Sequence, residues 1–220
     1  RLSKLEKELK SEGLEVESWP SDITDRQRIK KTIADILKEY GQVHVLVNNA
    51  GLMPFPSSLQ DTDDSWWDDL VNTNLTGTFN ITKAILPSML DKKYGRIINI
   101  SSVSARKTVG NFVAYAAAKG ALHAFTTALA NEVSSNGITV NCILPGFTET
   151  DTMHHIWGTI ANNAGISEDE LLKPFWAQIP LGRWIQPEEI GNAVSFLASD
   201  RAAVITGQII KVDGGYDNHD

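Results

Sequence analysis

The chain has 220 residues, of which 42% are hydrophobic and 21% are charged, and its formal net charge is −7. These proportions are typical of a globular domain with a large buried core. The acidic balance argues against a nucleic-acid partner, because such binding depends on basic patches. No apolar run approaches the ~20 residues of a membrane span, and the single cysteine, Cys142, excludes an intrachain disulfide. We therefore expect a cytoplasmic protein that binds neither nucleic acid nor membrane.

The first part of the chain predicts two helices and two strands. The charged residues 1–13 predict a surface helix, and "LEVESWP" (14–20) predicts a short strand. Thr24 and Gln27 have the spacing of a capping box and would open the second helix. The β-branched run "VHVLV" (43–47) is typical of a strand that is buried on both faces.

The rest of the chain continues this alternation. In chain order we expect a helix over about 64–90, a strand "RIINIS", a helix over about 112–135, a strand "ITVNCIL", an irregular stretch from Pro145 to about Ile166, a short helix near "EDELLKPFW", a helix from Pro187 and a strand "QIIKV". Apolar strands that alternate with helices predict an α/β fold: a doubly wound parallel sheet with helices on both faces. Ligands of such sheets bind beyond the carboxyl ends of the strands.

Polar or small residues follow four of the predicted strands. They are Asp22, then Asn48, Asn49, Ala50 and Gly51, then Ser101 and Ser102, and finally Pro145 and Gly146 with Thr148 and Thr150 just beyond. Each cluster alone reads equally well as an ordinary turn or loop. A parallel sheet would gather all four on one rim, where small residues also let a ligand approach the backbone.

One further pair, in the segment "YAAAK", suggests acid–base chemistry. Tyr115 and Lys119 are four positions apart, so a helix places them on one face. A nearby ammonium favours the phenolate, and we expect Lys119 to lower the pKa of Tyr115 towards neutrality. A tyrosine so tuned suits general acid–base catalysis. The alternative is a surface tyrosine with a solvated lysine one turn away, which is common in helices.

Taken together, these motifs resemble the short-chain dehydrogenase/reductase family, and the resemblance spans essentially all 220 residues. The motifs are, in order, "NNAG" at 48–51, "VNTNLTG" at 71–77, "INISS" at 98–102, "YAAAK" at 115–119, "PGFTET" at 145–150 and "GQIIKVDGG" at 207–215. The resemblance implies one Rossmann-like domain over residues 1–220. It also implies an oxidoreductase that interconverts a secondary alcohol and a ketone with NAD or NADP.

The resemblance implies a catalytic role for four residues. Tyr115 would exchange a proton with the substrate oxygen, and Ser102 would hydrogen-bond that oxygen. Lys119 would hold the nicotinamide ribose and lower the pKa of Tyr115. Asn74 would complete a water-mediated proton relay to Lys119.

The cofactor-binding residues that the resemblance implies lie on the same rim. They are Asp22, Ile23, Asn48, Ala50, Gly51, Tyr115, Lys119, Thr148 and Thr150. We assign no metal, because the adjacent His154 and His155 would not face one way and no array of ligands has metal-binding spacing.

The chain departs from the family pattern at its start. The family opens with a strand, a glycine-rich turn and a helix that cradle the cofactor pyrophosphate, and residue 1 falls within what would be the second helix. The first two strands and the first helix of the family have no counterpart in this sequence. We therefore expect a fragment of a longer chain, with a gap beside "VHVLV".

The region about 147–180 resembles the family's substrate loop. Its bulky apolar residues are Met153, Ile156, Trp157, Phe175 and Trp176. They favour a hydrophobic, hydroxysteroid-like alcohol or ketone, although they could equally pack the loop onto the core.

Two alternative functions and the state of assembly complete the expectations. A 3-oxoacyl-carrier-protein reductase would need a basic patch for its acidic carrier, and Arg106 with Lys107 is the only pair nearby. A catalytically inactive scaffold that binds no cofactor is the alternative of another class. The resemblance implies a homodimer or homotetramer, with the helices at about 64–90 and 112–135 paired across a dimer axis.

Overall fold

The computed structural model describes residues 2–108 and 110–218. Four parallel strands form one sheet in the order β1-β2-β3-β4, with bounds Val45–Asn48, Gly95–Ile100, Ile138–Pro145 and Ile209–Val212. The α-helices of the described ranges are α1 (Leu2–Ser11), α2 (Arg26–Tyr40), α3 (Asp64–Val71), α4 (Gly77–Lys92), α5 (Val113–Val133), α6 (Asp151–Ala164), α7 (Glu168–Trp176) and α8 (Pro187–Ala198).

Alternate residues of the strands build two apolar cores, one on each face of the sheet. Leu46 and Ile97 point to the face covered by α2, α4 and α5, where they pack with Ile33. Ile98 and Ile143 point to the other face and pack against Leu197 of α8. The prediction of a parallel, Rossmann-like sheet with helices on both faces is therefore confirmed.

The strand register brings the predicted exits together. Asn48 lies beside Asn99, Ile100 beside Ile143, and Pro145 beside Val212. The residues that follow β1, β2 and β3 therefore share one carboxyl edge. This edge carries the candidate site.

The predicted strand at 14–20 is wrong. The segment has no regular structure and pairs with no strand of the described chain, and an extended segment becomes a strand only when a neighbour takes its hydrogen bonds. The outer edge of β1 is also unpaired, and its Val45 and Val47 are exposed.

The predicted start of the second helix was one residue too early. The N-cap is Asp25, whose carboxylate accepts hydrogen bonds from the backbone N–H groups of Gln27 and Arg28. A carboxylate suits this position because it also complements the positive end of the helix dipole. Thr24 instead bonds to the side chain of Asp22.

The helix expected over 64–90 is interrupted by a π-helical turn, Asn72–Thr76, between α3 and α4. Such turns recur at functional sites because they redirect a side chain within a helix. Asn74, at the centre of the turn, is buried and reaches across to the loop after β1. The apolar pattern alone did not reveal this interruption.

The stretch from Pro145 to Ile166 is not irregular throughout, because it contains α6. The Thr150 hydroxyl accepts a hydrogen bond from the backbone N–H of Met153, and Gly165 ends the helix with φ 71°. Thr150 and Gly165 are both visible in the sequence as signals of helix ends. The polar residues between them prevented the prediction of a helix. The predicted helices near 112–135, 168–176 and 187 are confirmed.

Candidate active site

A cavity of about 650 Å³ opens at the carboxyl edge of the sheet. Seven of the predicted site residues line it: Gly51, Asn74, Ser102, Tyr115, Lys119, Thr148 and Thr150. They come from the loop after β1, the π-helical turn, the exit of β2, helix α5 and the exit of β3. The structure therefore brings all four predicted catalytic residues to one space.

Lys119 is 5% exposed and lies on the inner face of α5. Its ammonium donates a hydrogen bond to the backbone carbonyl of Ile100, at 2.9 Å. Burial lowers the pKa of Lys119 to about 8, since removal from water penalises the charged form. Interaction with the Cys142 thiol group acts weakly in the opposite direction.

Tyr115 does not follow the prediction for its pKa. The phenol is buried, and burial raises its pKa above the ordinary value because the phenolate would lose its hydration. A hydrogen bond with Ser102 lowers the pKa, but by less. The ammonium of Lys119 is 5.9 Å from the ring centroid and does not reverse this direction. Tyr115 is therefore protonated at neutral pH, as a proton donor must be.

Asn74 and Gly51 pack against each other where the loop after β1 approaches Lys119 of α5. The Asn74 side chain accepts a hydrogen bond from the Leu52 N–H (3.1 Å) and donates one to the Leu52 carbonyl (3.0 Å). A Cβ on Gly51 would come within 2.6 Å of Asn74 Oδ1 and 3.2 Å of Lys119 Nζ. Only glycine therefore fits between the Asn74 amide and the Lys119 ammonium without a shift of either.

Four predicted cofactor residues lie outside this cavity. Asp22 is exposed, and its carboxylate accepts hydrogen bonds from the Thr24 backbone N–H and hydroxyl. Asn48 is buried and donates to Asn99 (2.8 Å) and Thr82 (3.1 Å) beneath the sheet. Ile23, Asn48 and Ala50 line a separate recess of about 30 Å³. Their cofactor roles stay predictions, and it is Asn49 that faces the main cavity.

Some apolar residues of the predicted substrate loop line the cavity, and others pack the loop onto the core. Met153 and Trp157 line the cavity. Ile156 is buried, and Phe175 and Trp176 pack on Phe147 at centroid distances of 5.2 and 6.0 Å. Phe147 also contacts the rings of Trp157, Trp184 and Tyr216. One side of the cavity therefore rests on a wall of packed aromatic rings.

The basic pair expected to bind an acidic carrier is engaged within the chain. Arg106 Nε donates to Asp217 Oδ2 at 2.8 Å. Lys107 Nζ donates to the Tyr216 carbonyl at 2.6 Å and lies 3.9 Å from the centroid of that ring. Lys107 and Tyr216 both line the cavity, and sequence reasoning gave neither a role there.

His154 and His155 face different partners, as expected of neighbours in a chain. His154 lies between Glu168 (2.8 Å) and Glu149 (3.4 Å), whereas His155 packs against the ring of Phe55. Within residues 2–108 and 110–218, no group of three or more acidic, histidine or cysteine side chains could hold a metal ion. No helix of the same ranges is long and apolar enough to cross a bilayer.

The cavity fits the nicotinamide end of a dinucleotide. Gly51 and Ser102 border the cavity beside the buried ammonium of Lys119, so the ribose and amide groups of a nicotinamide nucleotide would meet hydrogen-bonding groups there. Lys119, Tyr115 and Thr148 would hold this end of the cofactor. When bound in its reduced form, the nicotinamide supplies a hydride.

Comparison with known proteins shows the same architecture and sequence pattern. A family model described as enoyl-(acyl carrier protein) reductase matches residues 1–217. The 3-oxoacyl-[acyl-carrier-protein] reductase FabG of Escherichia coli (strain K12) is 41% identical over 194 residues, which cover 88% of this chain and 75% of that protein. FabG of Pseudomonas aeruginosa is 40% identical over 212 residues, covering 96% and 81%.

A solved structure extends the comparison to three dimensions. A single-substitution variant of actinorhodin polyketide ketoreductase, crystallised with NADPH, superposes with a TM-score of 0.92 at 35% identity. The match covers 99% of this chain and 84% of that one. The two FabG proteins and this ketoreductase are named for the reduction of ketones on acyl or polyketide chains.

Proposed function

Because this chain belongs to the short-chain dehydrogenase/reductase family, and is an oxidoreductase of ketones and alcohols, we propose that it reduces the ketone of a 3-ketoacyl substrate. The observation that carries the proposal is the convergence of Ser102, Tyr115 and Lys119 on one cavity with an aromatic wall. The relatives favour this 3-oxoacyl reductase alternative over the hydroxysteroid-like substrate that the sequence first suggested.

The proposed chemistry assigns the proton to Tyr115. Reduction adds a hydride to the carbonyl carbon and a proton to the carbonyl oxygen, giving a secondary alcohol. The Tyr115 hydroxyl, kept protonated by burial, donates that proton. Ser102 would hydrogen-bond the same oxygen, since its hydroxyl and the Tyr115 phenol border the same cavity. Lys119 places a positive charge nearby, which favours the phenolate that forms after the transfer.

The size and lining of the cavity support an extended acyl substrate. A volume of about 650 Å³ falls within the range of ligand sites that bury most of a drug-sized molecule. Met53, Phe112 and Met153 line the cavity with Trp157. Apolar side chains of this kind bind an alkyl or polyketide chain through buried area.

The proposal is tested by mixing the natural full-length protein with NADH or NADPH and a panel of ketones. We expect loss of the reduced nicotinamide absorbance with a 3-ketoacyl thioester, and faster turnover than with any 3-ketosteroid. A preference for the steroids would overturn the ketoacyl assignment. No turnover of any ketone, together with no thermal shift from either nucleotide, would favour the inactive scaffold.

A further inference from the structure

Three consecutive residues at the exit of β2 hold the catalytic helix. The Ile100 carbonyl accepts a hydrogen bond from Lys119 Nζ (2.9 Å), and Ser102 lies near enough to Tyr115 to lower the pKa of the phenol. Between them, the Ser101 hydroxyl donates to the backbone carbonyl of Lys119 at 2.7 Å. Lys119 is thus held at both its side chain and its backbone by adjacent residues of one strand exit.

Ser101 is itself fixed from two directions. Its backbone N–H donates to the Ile143 carbonyl of β3 at 2.8 Å, which continues the sheet ladder. Its hydroxyl oxygen lies 3.0 Å from Nε2 of His123, which is one turn beyond Lys119 on α5. Ser101 is 3% exposed, so water has little access to replace these bonds.

The direction of the His123 bond follows from proton counting. A serine hydroxyl has one hydrogen to donate, and a backbone carbonyl can only accept. Since Ser101 donates to the Lys119 carbonyl, its oxygen must accept from His123, and Nε2 therefore carries a proton. Burial and the charge of Arg106 lower the pKa of His123, which favours the neutral ring.

We propose that His123 and Ser101 form a positioning pair for Lys119, in which the imidazole N–H orients the serine hydroxyl and the hydroxyl fixes the register of α5 on the exit of β2. Ser101 borders the cavity, but in this role the pair acts through Lys119 and not on the substrate. The inference rests on the proposed function, because it assigns to the pair the alignment of Lys119 and Tyr115 with Ser102.

The role predicts which changes matter. His123→Leu removes the N–H donor, and Ser101→Ala removes the hydrogen bond to the Lys119 carbonyl. Each substitution should lower kcat about tenfold. This loss is smaller than the ~10²-fold that a 1 Å misplacement can cost. The KM for the ketone should change less than twofold, because the apolar lining is untouched. His123→Gln places an amide N–H near the position of Nε2 and should retain at least a third of kcat.

A double-mutant cycle provides the decisive measurement. If His123 acts through Ser101, His123→Leu combined with Ser101→Ala should be no slower than Ser101→Ala alone. Multiplied losses, a fully active His123→Leu variant, or equal losses in His123→Leu and His123→Gln would overturn the proposal. Exposed His44, which lies at the opposite end of β1, provides the matched control, and His44→Leu should keep wild-type kcat.

A second readout separates this inference from the choice of substrate. Backbone amide hydrogen exchange of the His123→Leu variant, without nucleotide or ketone, should be faster at 119–123 than in the wild type, whereas His123→Gln should not differ. Equal protection in all three proteins would refute the positioning pair whatever the substrate is. If His123→Leu fails to fold, His123→Asn replaces it, because its shorter amide cannot reach Ser101.

Discussion

Lys119 carries its charge where water is nearly excluded, so its protonation should control the rate at accessible pH. Burial lowers the pKa of Lys119 to about 8, so the ammonium prevails below that pH and is lost above it. We expect kcat/KM for ketone reduction to fall as pH rises through about 8. Lys119→Arg should abolish this fall, although at a lower rate, because a guanidinium stays charged throughout. A fall at the same pH in Lys119→Arg would assign it to another group.

Gly51 provides a second test at the scale of one residue. The added Cβ of Gly51→Ala would meet Asn74 Oδ1 at 2.6 Å, so Asn74 or the loop must move. We expect roughly 1–3 kcal/mol of lost stability, which is typical of overpacking, together with a lower kcat. Denaturant unfolding and steady-state kinetics measure the two effects.

The matched glycine for that experiment is Gly110, whose added Cβ would meet nothing within 4 Å. Gly110→Ala should leave both stability and kcat unchanged. If Gly51→Ala behaves as Gly110→Ala does, the close packing of Asn74, Gly51 and Lys119 has no functional consequence.

At the scale of elements, His154 links α6 to the start of α7. Its ring bonds Glu168 at 2.8 Å and approaches Glu149 at 3.4 Å, and the Glu168 hydrogen bond is the main cause of its raised pKa. A group whose pKa is higher in the folded than in the unfolded state stabilises the fold at pH values below the pKa of the unfolded state. This stabilisation is lost as the pH rises through the pKa of the folded state.

We therefore expect His154→Gln to lower the thermal midpoint at pH 6 and to have little effect at pH 9. The shift should be small and reduced by salt, since the side chain is 44% exposed. The neighbouring His155→Gln, which loses only the ring contact with Phe55, is the control. An equal loss at both pH values would show that the charge of His154 does not stabilise the α6–α7 contact.

The sequence predicted those elements whose signals are local and missed those that depend on distant partners. The β-branched run 43–47 was sufficient to predict β1, but its expected burial on both faces was wrong, because Val45 and Val47 are exposed. The π-helical turn at Asn74 depends on hydrogen bonds to Leu52, 22 positions away in sequence. The segment 14–20 has the residues of a strand, but strand formation requires a neighbour that composition cannot supply.

The site residues were likewise predicted where the signal was local and missed where it depended on distant contacts. Spacing alone pointed to Tyr115 and Lys119, the family resemblance added Ser102 and Asn74, and all four line one cavity. The direction of the Tyr115 pKa was not predictable, because spacing reveals the nearby cation but not the extent of burial. Ser101 appeared only as a loop hydroxyl, and its bonds to Lys119 and His123 required the packing of α5 against β2.

At the scale of the whole molecule, the parallel sheet explains why residues far apart in sequence share one edge. Its register aligns the exits of β1, β2 and β3, and α5 places a proton donor and a cation over the middle exit. The homodimer or homotetramer stays a prediction. Trp67, Phe79 and Val113 are exposed on the helices that would pair across the dimer axis.

The central claim is that Tyr115 protonates the carbonyl oxygen, and Tyr115→Phe in the full-length protein tests it most directly. Phenylalanine keeps the packing against Leu70 and Ala114 and removes only the hydroxyl. We predict that kcat for ketone reduction falls by at least ~10²-fold, the usual contribution of a general acid. Wild-type kcat in the Tyr115→Phe variant would contradict the account.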